Sequence, residues 1–95
     1  MAKGYWIAHV NVSDPDQYQQ YAEMAPDVIA AHGGKFLARA GRHQQMEGSG
    51  KTRNVVTEFP SFEDAVACWN SPGYQAARAK RQGAGDVDIV IVEGV

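Results

Sequence analysis

Three side chains pair reactive chemistry with positions that a fold would hold still: His9, Arg39 and Tyr74. His9 lies in the middle of Tyr5-Trp6-Ile7-Ala8-His9-Val10-Asn11-Val12, where an imidazole is at least partly covered. A neutral imidazole can move a proton near neutral pH, so His9 is a candidate base. Its alternative role is a histidine satisfied by a neighbouring strand or a second subunit. Arg39 has an apolar surround and would hold an anionic group or stabilise developing negative charge. A buried guanidinium also seeks a carboxylate, and Glu58 is the expected ion-pair partner. Glu47 carries the same two readings.

Tyr74 would donate a hydrogen bond from beside a helix break at Ser71-Pro72. A broken helix next to a sheet can open a cleft. Trp69 and Tyr74 flank that break, and Tyr18 and Tyr21 could face the same space from an earlier helix. The competing reading is ordinary aromatic core with hydroxyls at its rim. Tyr18, Tyr21, Glu58 and Trp69 are therefore the candidate ligand-binding residues, and His9, Arg39 and Tyr74 the candidate catalytic ones.

Other signals lead away from chemistry. His32 reads as a cation at a helix C-terminus, and His43 falls in a bulge or loop. The three histidines show no metal-ligand spacing, so no metal or haem is expected, and no other cofactor. Gly48-Ser49-Gly50-Lys51-Thr52 lacks a full phosphate-loop pattern and leads into a strand. Cys68 has no partner cysteine and sits on a helical pattern, which suits a buried structural thiol and excludes an internal disulfide. Arg78, Lys80 and Arg81 are the basic cluster, read as cations favouring a helix dipole. A net charge of −2 leaves no basic face for nucleic acid. No apolar run approaches the roughly 20 residues that span a bilayer. The start, Met1-Ala2-Lys3-Gly4-Tyr5-Trp6, lacks the apolar core of a signal peptide. The expectation is a soluble, cytoplasmic chain with residues 1–95 as one domain.

The elements that must position these residues follow from pattern. Tyr5 to Val12 is a strand with Trp6, Ala8, Val10 and Val12 on one face and Tyr5, Ile7, His9 and Asn11 on the other. Asp14-Pro15-Asp16-Gln17 starts a helix, with Asp14 as cap, Pro15 at the first position and Gln17 closing a capping box. Pro26 predicts a kink or short break, and Gly33 supplies the left-handed end. Lys35 to Ala40 is the second strand, with a bulge invited at Gly41 and the strand resuming through Gln44 to Met46. Arg53 to Phe59 is the third, making a long antiparallel hairpin. Ser61 caps the next helix, whose buried stripe is Phe62, Ala65, Val66 and Trp69. Ser71-Pro72 restarts it and Gly83 ends it. Val87 to Val92 is the last strand.

The order βαββαβ predicts an α+β, ferredoxin-like fold, a four-stranded antiparallel sheet with helices on one face. Val90, Val92 and half of the first strand would then lie bare. A patch that large is unusual on a monomer, so a second copy packed sheet against sheet in a two-fold homodimer is expected.

Taken in order, Tyr5-Trp6-Ile7, Asp14-Pro15 with Tyr18 and Tyr21, Gly33-Gly34-Lys35-Phe36-Leu37-Ala38-Arg39, Glu47-Gly48, Val55-Val56, Glu58-Phe59-Pro60-Ser61 and Trp69-Asn70-Ser71-Pro72-Gly73-Tyr74 resemble the bacterial family called domain of unknown function 1330. The resemblance covers nearly the whole chain. It implies the dimeric α+β barrel superfamily: a homodimer whose two sheets form a barrel with helices outside. Relatives in that superfamily include cofactor-independent monooxygenases, lactone isomerases, chlorite dismutases and haem-degrading enzymes, while the family itself has no established reaction. The leading expectation is a small homodimeric barrel that binds a small organic metabolite, anionic or neutral, in a sheet–helix cleft. The alternatives are a cofactor-independent isomerase or monooxygenase and a non-catalytic interaction module.

Overall fold

The structure, a computed structural model, describes residues 2–95. Met1, the first residue of the stretch read for a leader, lies outside the described residues. The elements are β1 (Gly4–Val12), α1 (Pro15–Ala31), β2 (Lys35–Arg39), β3 (Arg53–Phe59), α2 (Phe62–Asn70), α3 (Pro72–Lys80) and β4 (Gly85–Glu93). The sheet has four strands in the order β2-β3-β1-β4, and every neighbouring pair is antiparallel. This is the expected βαββαβ arrangement, with the second helix in two pieces. Among the described residues no helix is long and apolar enough to cross a membrane.

Side-chain alternation along β1 separates the two faces of the sheet. Trp6 and Val10 are buried beneath the helices, whereas Ile7 is half-buried and His9 and Asn11 are exposed on the other side. The main core gathers Trp6, Ile29, Phe59, Cys68 and Tyr74 with the small Ala25, Ala65 and Ala77. Trp6 stands edge-on to Tyr74 with ring centres 4.8 Å apart. Its indole N–H donates to the Ala65 carbonyl oxygen at 3.0 Å. That bond satisfies the one polar atom of an otherwise apolar ring.

The helix ends follow local chemistry. Asp14 accepts from the Gln17 backbone N–H at 3.1 Å. The capping box is not closed, because the Gln17 amide donates instead to the carbonyls of Lys80 and Gln82, at 3.1 and 2.6 Å. Gln17 thereby ties the start of α1 to the end of α3. Ser61 caps α2 by accepting from the Asp64 N–H at 3.0 Å. Ser71 is both the end of α2 and the cap of α3. Its hydroxyl donates to the Cys68 carbonyl at 2.7 Å and accepts from the Tyr74 N–H at 3.2 Å. Gly33 and Gly83 take positive φ, both 80°, just past their helices.

Four expectations are corrected. The α1 helix runs unbroken through Pro26. The proline deletes one backbone donor, and the buried Ala25 and Ile29 anchor the turns around it. The bulge falls between Phe36 and Ala38, at Leu37, rather than at Gly41. The strand does not resume after Arg39: Ala40 turns left-handed with φ 54°. Residues 41–50 are exposed and carry no strand. That segment is almost wholly polar, so it has no apolar face to bury, and the long hairpin becomes a short pair with a wide loop. In α2, Ala65 and Cys68 are the buried pair, with Phe62, Val66 and Trp69 half-buried.

The face of the sheet away from the helices is bare, as expected. Val90 and Val92 keep 54% and 43% of their surface exposed, and Leu37 53%.

Candidate functional site

The helices do not lie on the sheet evenly. α2 approaches β1, β3 and β4 closely, while the main close neighbour of α1 is α3. The reason is side-chain size. The inner face of α2 is made by Ala65 and Cys68, whereas α1 directs Tyr18 and Tyr21 inward and is held off the strands. The space beneath α1 is a cleft. Its volume is about 50 Å³. That is room for a few waters or part of a small ring, less than a drug-sized ligand fills.

The floor is apolar: Trp6, Ala8 and Val10 from β1, Val55 from β3, and Val87 and Ile89 from β4. Tyr18, Tyr21, Ala22, Ala25, Pro26 and Ile29 form the α1 wall, and Tyr74 closes the α3 side. Three guanidinium groups, those of Arg39, Arg53 and Arg81, enter this surround. None of the chain's 11 acidic residues lines it.

Each of these arginines rests on an aromatic ring. The guanidinium carbon lies 4.5 Å from the ring centre of Phe36 for Arg39, 5.5 Å from Tyr18 for Arg53 and 5.0 Å from Tyr21 for Arg81. Ring faces attract cations but leave their N–H edges free. Among the described residues both ion pairs use lysines, Lys35 with Glu58 at 3.5 Å and Lys51 with Asp88 at 2.7 Å. Arg53 goes further: its Nε is buried with no hydrogen-bond partner.

The Tyr21 phenol is a proton donor here, not a base. Tyr21 and Tyr74 hydroxyl oxygens stand 2.8 Å apart. Burial, then the neighbouring Tyr74, pushes the Tyr21 phenol well above its ordinary range. Burial works against the Arg81 charge, but the Tyr74 and Tyr21 phenols beside it outweigh that and hold its pKa above the ordinary value.

Residues 3–95 match the family described as "Domain of unknown function (DUF1330)". The chain belongs to this family. A comparison with curated proteins finds no match for the DUF1330 chain. Its fold is similar to that of a protein of unknown function, RPA0582 from Rhodopseudomonas palustris. The two share 17% identity and a TM-score of 0.78, over 99% of this chain and 83% of that one. A dimeric ferredoxin-like protein of unknown function from Thermobifida fusca is similar at 20% identity and TM-score 0.63, over 99% and 92% of the two chains. SnoaB, a cofactor-independent oxygenase from Streptomyces nogalater, is similar at 8% identity and TM-score 0.66, over 97% and 92%. At these identities the likeness is one of fold.

Of the residues singled out in the sequence, the DUF1330 fold brings Tyr18, Tyr21, Arg39 and Tyr74 to the cleft. Trp69 stands behind Tyr74, with ring centres 5.2 Å apart, and carries Arg78 on its outer face instead of lining the space. His9 and Glu58 lie on the bare face. The His9 Nδ1 meets the Asn54 Oδ1 at 2.6 Å. His9 is also flanked by Asp88 across the β4 register, so within one subunit it shares no cavity with Arg39 or Tyr74. The expected Arg39–Glu58 pair is not made. Glu58 accepts from the Tyr5 hydroxyl at 2.9 Å and pairs with Lys35. Arg39 registers opposite Val55, three residues from Glu58 and therefore on the other face. Glu47 is exposed in the loop.

Arg53 and Arg81 were not anticipated at the cleft. The signal for Arg53 is its phase, since it alternates with Val55, Thr57 and Phe59 on the inner face of β3. Arg81 follows Tyr74 and Ala77 at helical spacing, which aims it inward instead of along the helix axis.

Proposed function

We propose that this chain binds a small organic anion with an apolar, ring-bearing body in the cleft beneath α1. One observation carries the reading: three arginines and no acid line one apolar cleft. Guanidinium charge gathered without a carboxylate is costly, and an anionic ligand offsets it. The apolar floor and the rings of Trp6, Phe36 and Tyr18 suit the ligand's body.

Residues 1–95 form one domain in this proposal, and two copies meet through their bare sheet faces. The exposed Val90 and Val92 support that pairing, as does the similarly folded dimeric protein from Thermobifida fusca. The roles of His9, Arg39 and Tyr74 as a catalytic set would need His9 to act at a site other than its own subunit's cleft. Binding is the reading that the geometry favours.

The test is thermal stabilisation by benzoate and hydroxybenzoates against neutral benzyl alcohol. A ligand at 100 times its Kd adds about 2.7 kcal/mol to a native state that alone binds it. The aromatic anions should raise Tm by several degrees, less so at high salt, and the neutral compound should not. No rise with any of the anions overturns the reading.

A further inference from the structure

We infer that the cleft takes up a weakly acidic hydroxyl compound, a phenol or an enol on a planar ring, in its ionised form. This rests on the binding reading above and adds the ligand's class and protonation state. The polar groups around the cleft are lopsided. Arg39, Arg53 and Arg81 can only donate hydrogen bonds. The Tyr21 and Tyr74 hydroxyls, 2.8 Å apart, use one proton between them and leave the other to give away. Among the described residues no imidazole, carboxylate or amine lines the space to take a proton or to hold one in place.

Among the lining side chains a neutral hydroxyl finds only other hydroxyls as acceptors, whereas an oxyanion finds the charge of three guanidinium groups, those of Arg39, Arg53 and Arg81. The cleft therefore favours the conjugate base. On uptake the ligand's O–H bond breaks heterolytically, its electron pair stays on oxygen, and the proton leaves through the open mouth to solvent. The cleft volume of about 50 Å³ admits an oxygen and part of a flat ring, beside the rings of Trp6, Tyr18 and Phe36. A carboxylate offers the same negative charge and serves as the comparison.

The experiment uses 4-nitrophenol, whose ionised form absorbs in the visible, with benzoate as the carboxylate arm. Quenching of tryptophan fluorescence reports occupancy independently, since Trp6 lines the cleft. With saturating protein the titration midpoint of bound nitrophenol should fall by about one to three units, as expected beside an opposite charge. Arg53→Met, with its circular dichroism unchanged, should lose most of that fall, and Arg53→Lys should keep part of it. Bound nitrophenol that titrates at its free value overturns this inference, and so does occupancy by benzoate without nitrophenol. Occupancy by neither compound at any pH overturns the binding reading itself.

Discussion

Glu58 shows how a single residue's surroundings decide its charge. The Tyr5 hydroxyl, bonded at 2.9 Å, is the main influence holding its carboxyl below the ordinary range. Partial desolvation opposes this, and Lys35 adds to it. The same bond raises the Tyr5 phenol. Because the folded pKa is depressed, the stabilisation is fully present above the unfolded carboxylate value of about 4.3. It is lost as pH falls through the lower folded value. Tyr5→Phe should move the Glu58 titration upward towards the ordinary value, measured by carbon-detected NMR of the carboxyl. An unmoved titration would show that the hydroxyl is not the cause. Cys68 is governed by burial alone, which pushes its thiol up to about 11, so at neutral pH it is packing material and not a nucleophile.

At the scale of elements, the break between α2 and α3 sets the shape of the cleft. Ser71 ends one helix and begins the next with a single hydroxyl that both donates and accepts. The turn brings Tyr74 down against Trp6 and places Arg81 over Tyr21. Ser71→Ala removes both bonds, and cap losses run at about 1 kcal/mol, up to about 2. Chemical denaturation should show a loss in that range, together with weaker benzoate binding as Tyr74 loosens. A stability change within error would mean that Pro72 alone fixes the restart. Gly34, between α1 and β2, is constrained from the other side. A Cβ there would lie 2.6 Å from Ile29 Cγ2 and 2.7 Å from Phe59 Cε1, both in the core. The loop from α1 into the sheet has no room for any side chain at that point.

At the scale of the molecule, the sheet has one covered face and one bare one. The bare face mixes Ile7, Val56, Val90 and Val92 with His9, Asn54, Glu58 and Asp88. A second copy would cover the valines and leave the charged groups near the rim or paired. Val90→Lys combined with Val92→Lys should convert a dimer into folded monomers in sedimentation velocity, because burying two ammonium groups without partners is strongly unfavourable. A double variant that sediments like the parent would place the interface elsewhere. Since the cleft opens on the helix side, benzoate binding by those monomers should persist.

The element order, the helix starts at Asp14, Ser61 and Ser71 and the two faces of β1 were all legible in the chain, because they depend on spacing and on chemistry within a few residues. So was the family, from residues spread along nearly the whole length. Arg39 and Tyr74 were legible as cleft residues, but their expected companions were not. Whether Arg39 meets Glu58 or Val55 depends on strand register and on the bulge at Leu37, and whether His9 joins Tyr74 depends on which face of β1 the helices cover. Those are relations between segments distant in sequence, fixed by packing. Only the folded chain could show that small residues seat α2 on the sheet while two tyrosines prop α1 away from it, and that three arginines share the gap with no acid.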